Sequence, residues 1–365
     1  MNDRTGAPVL VLGSASIHVA RFVRGLCAAG RSVVLATHGE LPLGPLPGLR
    51  EQVVLDLSVT SWSAVRRIRA LMMQWSPSVV HAHQVNSVAW HAVRAARGSG
   101  LPVVLTLWGS DVLTLPARSP LHRWMVRSAL RGAAAWTADA RVLLDAATQI
   151  AGPGAGIRRA WIPIGIDAPP PPGAEPRERR LLSCRLHKPL YRIDAILHAF
   201  ASLPAGRADW VLEVAASGEQ TPTLQRLAAE LGVADRVEFS GMLGAAALWR
   251  AYRRSAVFVS VPETDGTSVS LLEAMAAGCL PVLSDLPANR EWVQTGRNGL
   301  LVADPAQLGE SLERAIDWSE SGRWAREGRP INEALVAEKA LFPRNIEQFI
   351  ALYDGLNNDP VEAAQ

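Results

Sequence analysis

The sequence has few cysteines and no long hydrophobic run, and each shortage excludes a class of protein. The three cysteines, Cys27, Cys184 and Cys279, are too few for a disulfide framework and lack the paired spacing of a zinc site. No stretch reaches the about 18 uninterrupted apolar residues of a transmembrane helix, and the apolar run that ends at Gly13 is too short for a signal peptide. We therefore expect a cytoplasmic protein in a reducing compartment.

The excess of positive over negative charge is also small. The net charge of +3 gives little support for a nucleic-acid partner, although it is compatible with anionic lipid or phosphate ligands. Hydrophobic residues make up 48% of the chain and charged residues 19%, which is typical of a globular protein and excludes a disordered one. A length of 365 residues suits two domains of ordinary size.

Short apolar runs alternate with segments of helical period in both halves of the chain. Runs such as SVVLAT and PVVLTL are nearly continuous in apolar residues, which indicates strands of a parallel sheet covered by helices on both faces. The proline run at 169–172 can continue neither a helix nor a central strand. The predicted fold class is α/β, with doubly wound domains at 1–168 and 181–340, a linker at 169–180, and a last segment at 341–365 that contains a helix from Pro343 to Leu356.

The most informative stretch is ETDGTSVSLLEAMAAGCLPVLSD, residues 263–285. Its pattern predicts a strand end, a loop that carries Asp265, a helix that starts near Thr267 and Ser268, and Glu273 inside that helix. Unpaired amides at a helix start attract phosphate, and carboxylates accept hydrogen bonds from sugar or ribose hydroxyls. The stretch therefore predicts a nucleotide-sugar site, with a helix cap and solvated charges as the alternative for Asp265 and Glu273.

The same stretch resembles the E-x(7)-E signature of glycosyltransferase family 4, whose members carry a segment like EGFGLVLLEAMA. The spacing is kept, with Asp265 in place of the first Glu and Glu273 as the second. IPIGID at 162–167 and RVEFSGML at 236–243 also resemble family elements. The resemblance implies the GT-B fold, in which two Rossmann-like domains face a cleft and a C-terminal helix crosses back to the first domain.

The resemblance also implies the roles of individual residues in the second domain. Asp265 and Glu273 become the acidic catalytic pair, with Glu263 as an alternative for the first position. Arg185 and Lys188 would hold the diphosphate, since a guanidinium fork and an ammonium both suit phosphate oxygens, although the Arg–Lys spacing departs from the family's. The implied donor site consists of Arg185, Lys188, Gly266, Thr267, Ser268, Val269 and Glu273. The segment Asn289–Glu291 matches a family element but has no role that can be derived.

Two loops of the first domain resemble the acceptor side of the family. GSASIHV at 13–19 is not a dinucleotide-binding fingerprint, but its small residues let the backbone approach a ligand. TLWGSDV at 106–112 resembles a loop with an H-G-x-D-like pattern and has Trp108 where many members have His. The implied acceptor or cleft residues are Gly13, Ser14, Ser16, His18 and Trp108. Asp111 would orient or deprotonate the acceptor hydroxyl, with a helix cap as the alternative.

Two further patterns bear on metals and membranes. His81 and His83 form an H-x-H pair without a third ligand, so we predict no metal site. Arg123, Arg127 and Arg131 recur every four residues beside Trp124, which puts three positive charges on one helical face. This face would suit an anionic membrane surface, with an ordinary solvated face as the alternative.

Taken with the resemblance, these observations predict a retaining glycosyltransferase. It would move a hexose-type sugar from an NDP-sugar, without cofactor or metal, to a cell-envelope glycan or lipid-linked acceptor in lipopolysaccharide or exopolysaccharide synthesis. It would act in the cytoplasm or peripherally on the inner face of the cytoplasmic membrane. Two alternatives are a GT-B-fold nucleotide-sugar epimerase and a catalytically silent sugar-binding subunit.

Overall fold

The computed structural model describes residues 6–153, 157–170 and 176–358, and the chain forms two compact units. One unit comprises Met1–Pro163 and Phe342–Gln365, and the other comprises Ile164–Leu341. Residues 171–175 of the predicted linker lie outside the described residues. Within the described ranges, none of the helices has both the length and the apolar character needed to span a bilayer.

The first unit is built on a seven-stranded parallel sheet in the order β3-β2-β1-β4-β5-β6-β7. Its strands are β1 (Val9–Gly13), β2 (Val33–Thr37), β3 (Leu49–Val54), β4 (Val79–His83), β5 (Val103–Leu107), β6 (Ala135–Ala138) and β7 (Arg158–Trp161). Its helices before the linker are α1 (Ile17–Ala28), α2 (Ala64–Trp75), α3 (Ser87–Ala96), α4 (Ser110–Leu113), α5 (Leu115–Arg118), α6 (Pro120–Arg131) and α7 (Arg141–Ala151). β1, β2, β4, β5 and β6 are buried along their whole length, as nearly continuous Val, Leu and Ala runs predict.

The helices of the first unit form two layers. Crossovers between parallel strands are right-handed. Strands are added on one side of β1 as far as β3 and on its other side from β4 onward, which puts α1 on one face of the sheet and α2, α3, α6 and α7 on the other. Consistent with this arrangement, α3 packs against both α2 and α6, and α6 packs against α7.

The second unit repeats the plan with a six-stranded parallel sheet in the order β10-β9-β8-β11-β12-β13. Its strands are β8 (Glu178–Ser183), β9 (Val211–Ala215), β10 (Val237–Gly241), β11 (Ser255–Ser260), β12 (Leu280–Ser284) and β13 (Leu300–Val302). Its helices are α8 (Ile193–Ala201), α9 (Thr221–Glu230), α10 (Ala245–Arg254), α11 (Val269–Ala276), α12 (Pro287–Arg290), α13 (Leu308–Glu320) and α14 (Arg329–Lys339). Large buried side chains such as Phe200, Trp210 and Leu312 fill the core between this sheet and its helices.

The last helix, α15 (Phe342–Asn358), packs on the first unit against α1. The Phe349 ring lies 4.9 Å from that of Phe22, and the Tyr353 hydroxyl lies 2.5 Å from Nδ1 of His81. Gly25 leaves room for Phe342, since a Cβ at that position would come within 2.7 Å of the phenyl ring. The helix predicted at Pro343–Leu356 therefore completes the core of the first unit, and the predicted pair of parallel Rossmann-like sheets is confirmed.

Candidate functional site

The candidate site of the second unit lies where the order of strand addition reverses, between β8 and β11. Ligands of open parallel sheets bind at this kind of point, beyond the carboxyl ends of the strands. The loop after β8 supplies Arg185, and the loop after β11 supplies residues 261–268 and leads into α11. The sequence-predicted donor residues therefore come from two neighbouring loops and from α11.

Arg185 joins these two loops. Its Nη2 lies 2.8 Å from Oδ2 of Asp265, and its Nη1 donates a hydrogen bond of 2.5 Å to Oγ of Ser268. Its guanidinium also stacks 4.3 Å from the centre of the Tyr191 ring. Burial lowers the pKa of Arg185, but Asp265 and Tyr191 outweigh burial and raise the pKa overall. A permanent positive charge is therefore held at the loop that precedes α11.

Opposing effects act on the pKa of the Asp265 carboxyl group. Burial raises its pKa, while the positive charge of Arg185 and a hydrogen bond from the Gly266 backbone act in the opposite direction. The pKa of Asp265 is raised overall. The ion pair therefore offsets only part of the cost of burying this carboxylate.

The start of α11 has no side-chain cap. Ser268 is the N-cap residue, but its hydroxyl contacts Arg185 and the hydroxyl of Ser270, at 2.7 Å, and makes no capping bond. The hydroxyl of Thr267 instead accepts a hydrogen bond of 3.1 Å from the indole of Trp292. The amides of Leu271 and Leu272 already donate to the Ser268 carbonyl, so the amides of Val269 and Ser270 are the ones that can serve an anionic ligand, as amides at helix N-termini do.

Glu273, one turn into α11, is linked to the same loops through Tyr252. The Tyr252 hydroxyl donates a hydrogen bond of 2.9 Å to Oε2 of Glu273 and lies 3.1 Å from Sγ of Cys184, next to Arg185. Burial raises the pKa of the Cys184 thiol to about 12, so the thiol stays neutral. Tyr252 and Tyr191 belong to no motif and were missed by sequence reasoning, because only the packing of α10 and of the β8 loop reveals their contacts.

Two residues proposed from the sequence form no side-chain hydrogen bond or ion pair with this cluster within the described residues. Lys188 is exposed, and no side-chain contact of its ammonium is found within the described part of the chain. Glu263 is also exposed and lines a cavity of about 180 Å³ together with Arg192 and Ser284. Asp265, and not Glu263, forms the ion pair with Arg185. The roles of Lys188 and Glu263 stay predictions.

The segment Asn289–Glu291 stabilises the turn after β12. Nδ2 of Asn289 donates a hydrogen bond of 2.8 Å to the carbonyl of Ser284. Arg290 forms a fork on the carboxylate of Asp285, with hydrogen bonds of 2.6 and 2.7 Å. These contacts give the first two residues of the segment a structural role.

In the first unit, two of the predicted acceptor residues have structural contacts. A Cβ at Gly13 would lie 2.9 Å from the side chain of Val19, so glycine permits close packing of β1 on α1. The hydroxyl of Ser16 caps α1 by accepting a hydrogen bond of 3.3 Å from the Val19 amide. Ser14 lies half-buried in the same loop.

His18, His83 and Trp108 form an aromatic cluster at the carboxyl ends of β4 and β5 and the start of α1. The Trp108 ring meets His18 edge-on at 5.1 Å and His83 at 5.9 Å, measured between ring centres. Burial, helped by His18, lowers the pKa of His83 to about 3, and burial with Arg21 also lowers the pKa of His18. Within the described residues, the ring nitrogens of His83 and the indole nitrogen of Trp108 have no hydrogen-bond partner. His83 was considered from the sequence only as a metal ligand, so its place in this cluster was missed.

Asp111 is almost fully buried beside that cluster. Its carboxylate accepts hydrogen bonds from the backbone amides of Val85, at 2.7 Å, and Trp108, at 3.1 Å. Burial raises its pKa, although these amides oppose the shift. Asp111 therefore fixes the loop after β5, and its action as a base stays a prediction.

Two units, each built on a doubly wound parallel sheet, form the architecture of the GT-B class of glycosyltransferase folds. Residues 9–139 match the family model "Glycosyl transferase 4-like", and residues 178–317 match "Glycosyl transferases group 1". The chain therefore belongs to the glycosyl transferase group 1 or family 4-like glycosyltransferases, which both models describe.

Comparison with known proteins agrees with this assignment. The chain is similar to the lipopolysaccharide core biosynthesis mannosyltransferase LpcC of Rhizobium leguminosarum, with 32% identity over 34% of this chain and 35% of the relative. It is also similar to the D-inositol 3-phosphate glycosyltransferase of Frankia alni, with 34% identity over 35% of this chain and 34% of the relative. The matched segments thus span about a third of these curated relatives. The structure of Anabaena Alr3699/HepE in complex with UDP shares the fold, with a TM-score of 0.78, 14% identity, and coverage of 96% of this chain and 100% of that one.

Proposed function

We propose that this protein is a retaining glycosyltransferase that moves a hexose-type sugar from an NDP-sugar to a cell-envelope glycan or lipid-linked acceptor. The observation that carries the proposal is the cluster in the second unit. There Arg185, the uncapped start of α11, Asp265 and Glu273 come from two adjoining loops and one helix. The names of the matched relatives support a sugar-transfer reaction, and the lipopolysaccharide enzyme supports an acceptor in the cell envelope.

Each part of this cluster has a chemical use in the proposed reaction. The guanidinium of Arg185 and the amides of α11 would neutralise charge that develops on the departing diphosphate. Glu273 would accept hydrogen bonds from ribose hydroxyls, and Asp265 from hydroxyls of the sugar. Because the diphosphate and Asp265 compete for Arg185, donor binding would loosen this ion pair and leave the carboxylate available to the sugar.

The acceptor is proposed to bind the first unit beside His18, His83 and Trp108. Aromatic rings suit the apolar faces of a sugar, and the indole nitrogen of Trp108 can donate a hydrogen bond to a hydroxyl. The reaction would take place in the cytoplasm or at the inner face of the cytoplasmic membrane, where nucleotide sugars are made available to lipid-linked acceptors.

The test is a panel of UDP-, GDP-, ADP- and TDP-sugars incubated with the purified protein, with and without lipid-linked or lipopolysaccharide acceptors. We expect one donor to release its nucleotide, faster with acceptor. In Arg185→Ala and Glu273→Ala the rate should fall by about 100-fold or more, as when a stabilising group of a transition state is removed. Arg323→Ala is the matched control, because Arg323 pairs with Glu327 on the surface of the same unit.

The other outcomes separate the alternatives. An isomerised donor that needs no acceptor would indicate an epimerase. Donor binding without turnover over the whole acceptor set would indicate a silent subunit. Full activity in both site variants would contradict the proposed site.

A further inference from the structure

The helical layer formed by α2, α3 and α6 has an unusual charge. Between residues 57 and 138 the chain has nine arginines, no lysine and one acidic residue, Asp111, which is buried. Six of these arginines have no hydrogen-bond or ion-pair partner within the described residues: Arg66, Arg67, Arg97, Arg118, Arg123 and Arg127. The three helices contain no carboxylate, and the acidic groups beside them include the exposed Asp56, near His91 of α3, and Glu51, which accepts a hydrogen bond of 2.6 Å from Trp75 of α2. The layer therefore has an excess of positive charge.

The arginines that form this surface in the structure differ from those predicted from the sequence. Arg131 was predicted to belong to it, but its Nη1 donates a hydrogen bond of 3.0 Å to the carbonyl of Ala151, at the end of α7. Arg123 and Arg127 remain exposed on α6. The arginines of α2 and of the end of α3 join them, because α3 packs between α2 and α6.

Large apolar side chains lie on the same layer. Trp62, just before α2, is 100% exposed, and Leu121 and Trp124 on α6 are 65% and 55% exposed. The Trp124 ring meets Trp90 of α3 edge-on at 6.1 Å, and Arg94 stacks on Trp90 at 4.4 Å. Exposed tryptophans among unpaired arginines are typical of surfaces that enter the headgroup region of an anionic bilayer, since the rings enter the interface while the arginines pair with phosphate.

The position of these apolar side chains relates the surface to the acceptor loops. Trp62, Trp90 and Leu121 lie at or next to the N-terminal ends of α2, α3 and α6. Each of these helices begins after the carboxyl end of a strand, so the three residues lie at the same edge of the sheet as His18 and Trp108. A bilayer that contacts this edge would hold a lipid-linked acceptor beside the loops that are proposed to bind it.

We propose that the layer of α2, α3 and α6 docks the protein on an anionic lipid bilayer through these exposed arginines, with Trp62, Leu121 and Trp124 inserted into the headgroup region. The docking itself does not depend on the proposed sugar transfer. Only its consequence for a lipid-linked acceptor rests on that function.

The experiment is co-sedimentation of the full chain with vesicles of phosphatidylcholine alone and of phosphatidylcholine mixed with phosphatidylglycerol. We expect binding to the anionic vesicles only, and a decrease as salt rises. Arg66→Ser/Arg67→Ser/Arg123→Ser/Arg127→Ser should bind them about 1,000-fold more weakly. Trp62→Ala/Trp124→Ala should bind about tenfold more weakly and keep the salt dependence. Arg226→Ser/Arg314→Ser, on exposed helix positions of the second unit, is the matched control.

Thermal melting of each variant checks that it is folded. Equal binding to neutral and anionic vesicles, or undiminished binding by the folded arginine variant, would overturn the proposal. Displacement from anionic vesicles by a stoichiometric amount of a mixed-sequence DNA duplex would also overturn it, in favour of a nucleic-acid surface. Because vesicle binding is measured without donor or acceptor, its failure is distinguishable from a failure of the proposed transferase activity.

Discussion

At the residue scale, the pair of Arg185 and Asp265 shows why an arginine is needed after β8. One guanidinium reaches Asp265 and Ser268 at once while its flat face stacks on Tyr191. A lysine ammonium keeps the charge but has neither the fork nor the planar face. The exposed Lys188 three residues later cannot replace these contacts without a change of the loop.

We expect Arg185→Lys to weaken nucleotide binding by about 10- to 100-fold, the range for losing hydrogen bonds to a charged group. Calorimetric titration with the nucleotide chosen by the donor panel measures this effect. Arg185→Ala should bind more weakly still, and it should also unfold at lower denaturant because Asp265 is left buried and unpaired. Equal affinities in wild type and Arg185→Lys would show that the fork does not contact the nucleotide.

Tyr252 offers a test of the link to Glu273. Tyr252→Phe keeps the ring and removes the hydroxyl that contacts Glu273 and Cys184. We expect kcat/KM to fall by about tenfold, together with a loss of about 1–2 kcal/mol in the free energy of unfolding. Tyr353→Phe is the control, since it removes a buried hydroxyl of the first unit. A similar loss of kcat/KM in both variants would mean that the effect comes from stability alone.

His83 should make the stability of the first unit sensitive to acid. The pKa of His83 is about 3 in the folded protein and 6.5 in the unfolded chain. The free energy of unfolding is therefore unaffected by this histidine above pH 6.5, and it decreases as the pH falls from 6.5 toward 3. Between pH 8 and pH 5 this histidine alone should cost about 2 kcal/mol of unfolding free energy, because the unfolded chain gains the proton first. Urea unfolding at pH 8 and pH 5 measures the difference in the free energy of unfolding. In His83→Leu this difference should be smaller by about 2 kcal/mol. An unchanged pH dependence in the variant would contradict the assignment to His83.

At the element scale, the sequence predicts what periodicity and apolar runs determine. The continuous apolar strands, the restart of the pattern after the prolines and the apolar face of the last helix all have counterparts in the structure. The start of α11 was also predicted to within two residues. These features depend on local patterns that a single sequence contains.

Contacts between distant segments are what the sequence could not predict. Ser16 was predicted as a cleft residue and Asp111 as a catalytic group, with a helix cap as the alternative for Asp111. The structure adds hydrogen bonds from the Val19 amide to Ser16 and from the Val85 amide to Asp111, and the predicted roles toward a ligand stay predictions. Tyr252 lies 21 residues before Glu273, and Tyr191 lies six residues after Arg185, and no spacing rule identifies either contact. Arg131 looked equivalent to Arg127 on the helix, and only the end of α7 distinguishes them.

The last helix is an element whose importance can be measured. Phe349 of α15 is buried against Phe22 of α1, so Phe349→Ala should lower the free energy of unfolding of the first unit by about 3–5 kcal/mol. Glu347→Ala, on the exposed face of the same helix, should change it by less than about 0.5 kcal/mol. Chemical denaturation followed by hydrogen exchange in β4 and α1 measures both. A small effect of Phe349→Ala would mean that α15 adds little to this core.

At the scale of the whole molecule, each unit has its own sheet, core and candidate site, so their responses to ligands can be separated. A nucleotide that binds the second unit at 100 times its Kd should stabilise it by about 2.7 kcal/mol. We expect hydrogen exchange to slow most in residues 184–192 and 263–273, which hold Arg185 and the start of α11. Phe349 lies in the core of the first unit, so we expect Phe349→Ala to leave the nucleotide Kd unchanged. If nucleotide instead protected residues 13–18 and 106–111 most strongly, the donor site would have to be placed on the first unit, and the roles proposed for the two sheets would be exchanged.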